Sequence, residues 1–401
     1  MENSQILNPF EHPCTMSQSI DDIQLPEGIS REEGGEILGS GVENEELSEE
    51  GRIDDPFDPN DIRITTWQPT IDLIVKRLKN DELILSPDFQ RGDVWKTTQQ
   101  SRLIESLLMR IPLPAFYFDV RPDGTFVVVD GQQRLSTIRD FIIIQELQLE
   151  NLEYLPHLEG CTFDELDRAL RRRIEETQLL VFRLMPETPD KVRLNVFKRL
   201  NTGGEPLTSQ EIRHALHQGP ATKLLNELAQ SDSFSAATAD GVSPTRMADR
   251  ELILRFLAFW LEPYDEYNRK DLDEFLHDQM QKLNDMTDEE RSELRDVFDQ
   301  TMWAAHEIFD DDAFRKRFDP DANRHPINKA LFETWAYNLA CLDQEQRAHL
   351  VEQREELKAA FIELMNGDDD FVDSISVSTD QPKKVRKRFE TIEMLLQDQL
   401  E

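Results

Sequence analysis

Cysteine is scarce in this 401-residue chain: Cys14, Cys161 and Cys341 lie far apart, odd in number and outside any CxxC or Cys/His ligand spacing. That excludes a disulfide framework and a structural zinc site, and predicts free thiols in a reducing, cytoplasmic compartment. Long apolar runs are missing too. No stretch approaches the roughly 18 residues that a membrane span requires, and the opening MENSQILNPFEHPC lacks the basic-then-apolar order of a secretory leader. Basic residues are few: 45 Lys and Arg face 81 Asp and Glu, a formal net charge of −36. Such a charge opposes non-specific attraction to a phosphate backbone, so any DNA contact has to be local. No repeat of fixed period occurs.

The acidity is uneven. Residues 1–60 hold 16 Asp or Glu against Arg31 and Arg52, with few clustered hydrophobes, which predicts an acidic tail that does not fold by itself. From Ile62 to about Arg183 short β-rich runs alternate with helical patterns. Thr70 is placed to cap a helix carrying Ile71, Ile74, Val75 and Leu78; Leu83–Leu85 suits a strand; a helix from about Thr97 aligns Leu103, Ile104, Leu107 and Leu108. Ala115–Val120 and Thr125–Val129 flank Arg121-Pro122-Asp123-Gly124, a turn in which Pro presets φ and Gly accepts a positive one, so this is a hairpin. Leu179–Met185 suits one more strand. Beyond Pro189 the periodicity is helical almost throughout, with the polar stretch Ser231–Pro244 as the expected linker or mobile loop. The expectation is an α+β chain: a tail over 1–60, a small mixed α/β domain over 61–186 and an α-helical domain over 187–401.

Three loops carry the chemistry. The second hairpin strand runs into Asp130-Gly131-Gln132-Gln133-Arg134, after which Leu135, Ile138 and Ile142 follow at helical spacing. A strand feeding a glycine turn into a helix leaves amide donors at the positive end of the helix dipole, where anions bind. Arg134 offers a donor fork suited to phosphate oxygens, Gln132 and Gln133 suit a water or a ribose hydroxyl, and Asp130 suits a magnesium ion or a water. Gln90-Arg91 follows the Leu83–Leu85 strand and Pro87, with Trp95 near enough to shield a ligand. The third element is Phe197-Lys198-Arg199-Leu200-Asn201-Thr202-Gly203-Gly204, a helix end followed by the capping box Thr208–Glu211. Each taken alone has a plain reading as a capped helix or a glycine helix stop.

Together, Phe89-Gln90-Arg91 with Trp95, Asp130 to Arg134, and Phe197 to Gly204 followed by Glu211 and Arg213 resemble the N-terminal domain of GmrSD-type modification-dependent restriction enzymes, within the ParB and sulfiredoxin-like group. The resemblance extends from about Ile62 to Leu261. It implies a ParB/sulfiredoxin-like α/β core that binds and hydrolyses a nucleoside triphosphate with Mg2+, in bacterial defence against phage or foreign DNA. Gln133, Arg134 and Asp130 then carry catalysis, while Gln90, Arg91, Trp95, Gly131, Gln132, Arg199 and Asn201 bind nucleotide.

The fused restriction enzymes add a C-terminal His-Asn-His nuclease, and the C-terminal half of this chain has only scattered histidines, at 214, 217, 277, 306, 325 and 349. Nuclease activity is not expected, and His325 with Asn328 suits a helix start. His214 and His217 share a helix face without an acidic or Cys partner at ligand spacing, so no metal site is expected there. Two basic runs, Arg171–Arg173 and Lys383 to Arg388, suit solvated faces, with nucleic acid or an acidic partner as the alternative. The expected function is a nucleotide-dependent sensor or regulator whose further partners are DNA or a separate nuclease, with oligomerisation allowed and no membrane. A non-catalytic ParB-like DNA-binding or protein-interaction module is the alternative.

Overall fold

In the computed structural model, alternation along two hairpin strands decides what covers each face of the sheet. The model describes residues 41–43, 62–85, 95–200, 208–269 and 271–400, with backbone alone at 190, 191 and 198–200. Strands β1 (Ile64–Trp67), β2 (Leu83–Ile84), β3 (Phe116–Val120), β4 (Phe126–Asp130) and β5 (Val181–Leu184) form one mixed sheet in the order β1-β5-β3-β4-β2. The β3–β4 and β1–β5 pairs are antiparallel; β3–β5 and β2–β4 are parallel. Phe116, Phe118, Val120, Phe126 and Val128 point to one face, where helices α1 (Ile71–Lys79), α2 (Thr97–Leu108), α3 (Gln132–Arg139) and α4 (Arg168–Glu175) close a core with Ile74, Ile104, Leu135 and Ile174. Tyr117, Val129 and Leu184 point to the other, packed by Val192, Phe197 and Ile212.

Those last residues belong to α5 (Asp190–Leu200) and α6 (Ser209–Leu216). Both helices lie beyond the expected division at residue 187, yet they supply the sheet's second layer. A buried ion pair reinforces this layer: Arg193 of α5 reaches Asp119 of β3 at 3.5 Å and donates to the carbonyls of Val120 and Met185.

The remaining helices are α7 (Pro220–Ala229), α8 (Asp232–Thr238), α9 (Ala248–Leu261), α10 (Leu272–Asp285), α11 (Asp288–Phe309), α12 (Lys329–Ala340), α13 (Gln344–Glu352), α14 (Arg354–Gly367), α15 (Asp369–Ser374) and α16 (Pro382–Leu400). The expected helical region is present, built round the apolar helices α9 and α12. Asn328 caps α12 through Leu331 N at 2.8 Å, the helix start that its position predicts. Ser231–Pro244 is a correction. Far from being a linker, it contains α8: Ser231 caps the helix, and Phe234 is buried against Phe298 and Phe332 at ring distances of 6.2 Å.

In the second basic run Lys383 and Arg386 are exposed, as on a solvated face, and burial corrects the reading at Arg388. Arg388 is fully buried, donating to Glu333, which accepts from Arg255 through its other oxygen at 2.6 Å. Lys384 and Lys387 of the same run pair with Asp373 and Asp368, each at 2.7 Å. Arg171 and Arg172 of the first run do sit on a solvated face, against Asp164 and Glu176. Cys161 and Cys341 are free thiols, as expected. Among the described residues no helix is long and apolar enough to cross a membrane.

Candidate functional site

The site begins with the turn that closes the hairpin. Gly124, at φ +86°, lets Arg121 N bond Thr125 O, while Asp123 accepts from both the backbone and the hydroxyl of Thr125. Register then places Tyr117 opposite Asp130, with a bulge between Tyr117 and Phe118. β4 ends at Asp130 and α3 begins at Gln132, so the whole reversal from strand to helix falls on Gly131.

Gly131 sits at φ +96°, ψ 13°, left-handed backbone at the N-cap of α3. A β-carbon there would lie 2.2 Å from Cδ1 of Phe116, a fully buried ring. Two independent constraints therefore demand glycine: the backbone angle and the floor beneath it. Leu135 N bonds Gly131 O at 2.9 Å, which starts the helix, and the N-cap glycine itself brings no capping side chain. The opening turn of a helix leaves its first amides without intrahelical partners, and it is through such donors that helix N-termini receive anions.

Arg134 does not point outward from this turn. Its guanidinium lies 4.3 Å above the Phe116 ring, donates to the carbonyls of Pro114 and Ala115, and pairs with Asp130 at 3.0 Å. Burial lowers its pKa, with the Asp130 carboxylate acting the other way. The residue thus ties the start of β3, the end of β4 and the first turn of α3 into one unit, and its fork is spent on the protein.

Gln133 is half-buried, and its Oε1 accepts from Trp95 N at 3.4 Å, joining the approach to α2 to the head of α3. Trp95, Asp130, Gly131, Gln132, Gln133 and Arg134 are therefore brought together. Gln90, Arg91 and Asn201 lie outside the described residues, as does the side chain of Arg199, whose backbone forms the last turn of α5. The predicted box after the third loop is present: Thr208 Oγ1 accepts from Glu211 N at 3.1 Å, and Glu211 Oε2 accepts from Thr208 N at 2.7 Å.

Sequence reasoning missed the surroundings of α6. Arg213, fully buried, pairs with Asp273 of α10, and His217 Nε2 lies 2.9 Å from His277 Nδ1. Their partners are about 60 residues away, so only a repeated polar spacing along α6 hinted at them. Among the described residues no group of three His, Cys, Asp or Glu is placed to hold a metal ion.

A family model, the GmrSD restriction endonuclease N-terminal domain, matches residues 71–218. No curated protein matches the chain. The matched span opens at α1 and closes just after α6, the two helices that flank the sheet on opposite faces. It takes in α5 and α6, as the packing does. Over residues 71–218 the chain is therefore similar to the GmrSD restriction endonuclease N-terminal domain.

Proposed function

We propose that the β4–Gly131–α3 junction receives the phosphates of a nucleoside triphosphate and hydrolyses it, in a protein of a restriction-type defence system. The observation that carries this reading is the strand–glycine–helix turn: left-handed Gly131 passes β4 straight into α3, so that the loop lies at the positive end of the helix. Phosphoryl transfer needs chiefly charge stabilisation and alignment, which such a turn supplies through fixed donors. Gln132 and Gln133 lie on the first turn and serve to orient the attacking water and the ligand. Mg2+ travels with the nucleotide, since that ion keeps several waters and asks for only one or two protein carboxylates. Asp130 is the carboxylate this loop offers. Arg134 takes a different role from a direct phosphate ligand: it is a positioning residue that fixes the turn.

The family's name supports the restriction setting. The DNA-binding alternative loses support because Lys384, Lys387 and Arg388 are engaged by carboxylates of the same chain.

The test is turnover of each of the common nucleoside triphosphates by the purified chain, with and without Mg2+, and by Gln132→Ala and Gln133→Ala. We expect Mg2+-dependent phosphate release, lowered at least about tenfold in kcat by one of the two substitutions. Unchanged turnover in both folded variants overturns the reading.

A further inference from the structure

A second concave site lies in the helical region, away from the phosphate turn. Between α7, α8 and the start of α9 is a cavity of about 270 Å3. At about 30 Å3 per water it has room for roughly nine, the size of one heterocycle with a sugar rather than of an extended chain. Its apolar walls are Phe234, Val242 and Pro244; its polar lining includes Asp240, Asp249 and Arg250.

The two charged residues at the head of α9 are sequence neighbours and both at least nine-tenths buried, Asp249 5% and Arg250 9% exposed. Asp249 Oδ1 accepts from Arg250 N at 2.8 Å and lies 3.5 Å from Arg250 Nη1. Arg250 Nη2 donates to Asn226, while Arg250 Nε is buried with no hydrogen-bond partner among the described residues. A buried guanidinium nitrogen without an acceptor is costly unless something fills the place beside it. Asp249 shows the same need from the other side: burial raises its pKa, Arg250 only partly offsetting it.

These features select the ligand's chemistry. Two carboxylates against one guanidinium disfavour an anion, which excludes a phosphate or a carboxylic acid. A simple amine would serve the carboxylates but supply no acceptor to Arg250. What fits is a neutral, flat molecule that places hydrogen-bond donors beside an acceptor on one edge and offers its faces to Phe234 and Pro244. We propose that this cavity binds a guanine nucleoside, with the N1–H and N2–H donors toward Asp249 and O6 toward Arg250. Arginine to guanine O6 and carboxylate to a base N–H are the pairings that base-edge geometry favours.

The cavity also connects to the sheet. The segment that follows Pro244 turns through Arg246 and Met247, both in left-handed backbone, and Arg246 O accepts from Thr208 Oγ1 at 3.2 Å while its guanidinium reaches Glu211 at 3.4 Å. The cap of α6 is therefore bonded to the segment that joins Pro244 to Asp249, two residues of the cavity lining.

Calorimetric titration of the full chain with guanosine, inosine, adenosine, cytidine and uridine tests this, none of which carries the phosphates that the α3 turn would need. Guanosine should bind in the micromolar range, inosine about tenfold more weakly for want of the 2-amino group, and the others more weakly still. Asp249→Asn, nearly isosteric, should weaken guanosine about tenfold or more, and Val242→Phe, which fills the space without touching either charge, should abolish binding. Triphosphate turnover should persist in Asp249→Asn, so failure at one site does not imply failure at the other. The proposal is overturned if guanosine does not bind at about 1 mM, if all five nucleosides bind alike, or if folded Asp249→Asn binds guanosine unchanged. Loss of guanosine binding in Gln133→Ala with retention in Asp249→Asn would move the base to the α3 turn and overturn it equally.

Discussion

Gly131→Ala measures how rigidly the phosphate turn is built. Left-handed backbone costs an ordinary L-residue about 1–2 kcal/mol. The new methyl would also stand 2.2 Å and 2.8 Å from two carbons of Phe116. That ring is fully buried and has the Arg134 guanidinium on its face, so it cannot retreat without breaking the clamp. Overpacking of this kind costs about 1–3 kcal/mol. Alanine's stiffer unfolded chain returns at most about 1 kcal/mol. The expected net destabilisation is therefore about 1–4 kcal/mol, read by urea unfolding. A cycle with Phe116→Leu separates the two contributions: a smaller floor relieves the collision and leaves the backbone penalty, so the pair should couple by about 1–3 kcal/mol. The reasoning is refuted if Gly131→Ala costs less than about 0.5 kcal/mol, or if its cost is the same over phenylalanine and leucine.

Glu105, nearly fully buried, accepts from the amides of Glu153, Tyr154 and Leu155, and these bonds outweigh the upward effect of burial to hold its pKa below 4.5. Its folded value is depressed, so its contribution is present above pH about 4.5 and lost as pH falls through the folded pKa; Glu105→Gln should cost about 2–4 kcal/mol at pH 7 and flatten the acid limb of the stability curve. Glu333→Gln removes the carboxylate shared by the buried guanidinium groups of Arg255 and Arg388 and should cost about 3–5 kcal/mol in the same unfolding assay. Phe234→Ala should cost about 3–5 kcal/mol and raise hydrogen exchange across α8, whereas a mere linker residue would leave both unchanged.

What could be read in advance was what neighbours in the chain determine. Thr70, the Pro122–Gly124 turn, Thr208 with Glu211 and Asn328 announce local structure within four residues of themselves, and each is found where expected. β1 escaped because Ile64-Thr65-Thr66-Trp67 is a short, largely exposed edge strand, defined by pairing with β5 some 120 residues later. Ser231–Pro244 misled because its polar composition resembles a linker, while its one phenylalanine inserts between partners on α11 and α12. Lys384, Lys387 and Arg388 looked like a basic surface because their carboxylate partners come from α12, from α15 and its cap. At the site, the strand–glycine–helix order was plain. The direction of Arg134 was not, since the carbonyls that capture it belong to residues 114 and 115, delivered by the hairpin.

The inward turn of Arg134 changes how a familiar experiment on such a motif should be interpreted. An arginine that grips two carbonyls, a carboxylate and an aromatic face can silence an enzyme when removed without ever having met the ligand. Activity lost in an alanine variant would thus report on architecture as readily as on contact. Nucleotide affinity measured beside the thermal stability of the loop, in Arg134→Lys as well as Arg134→Ala, is what tells the mason from the workman.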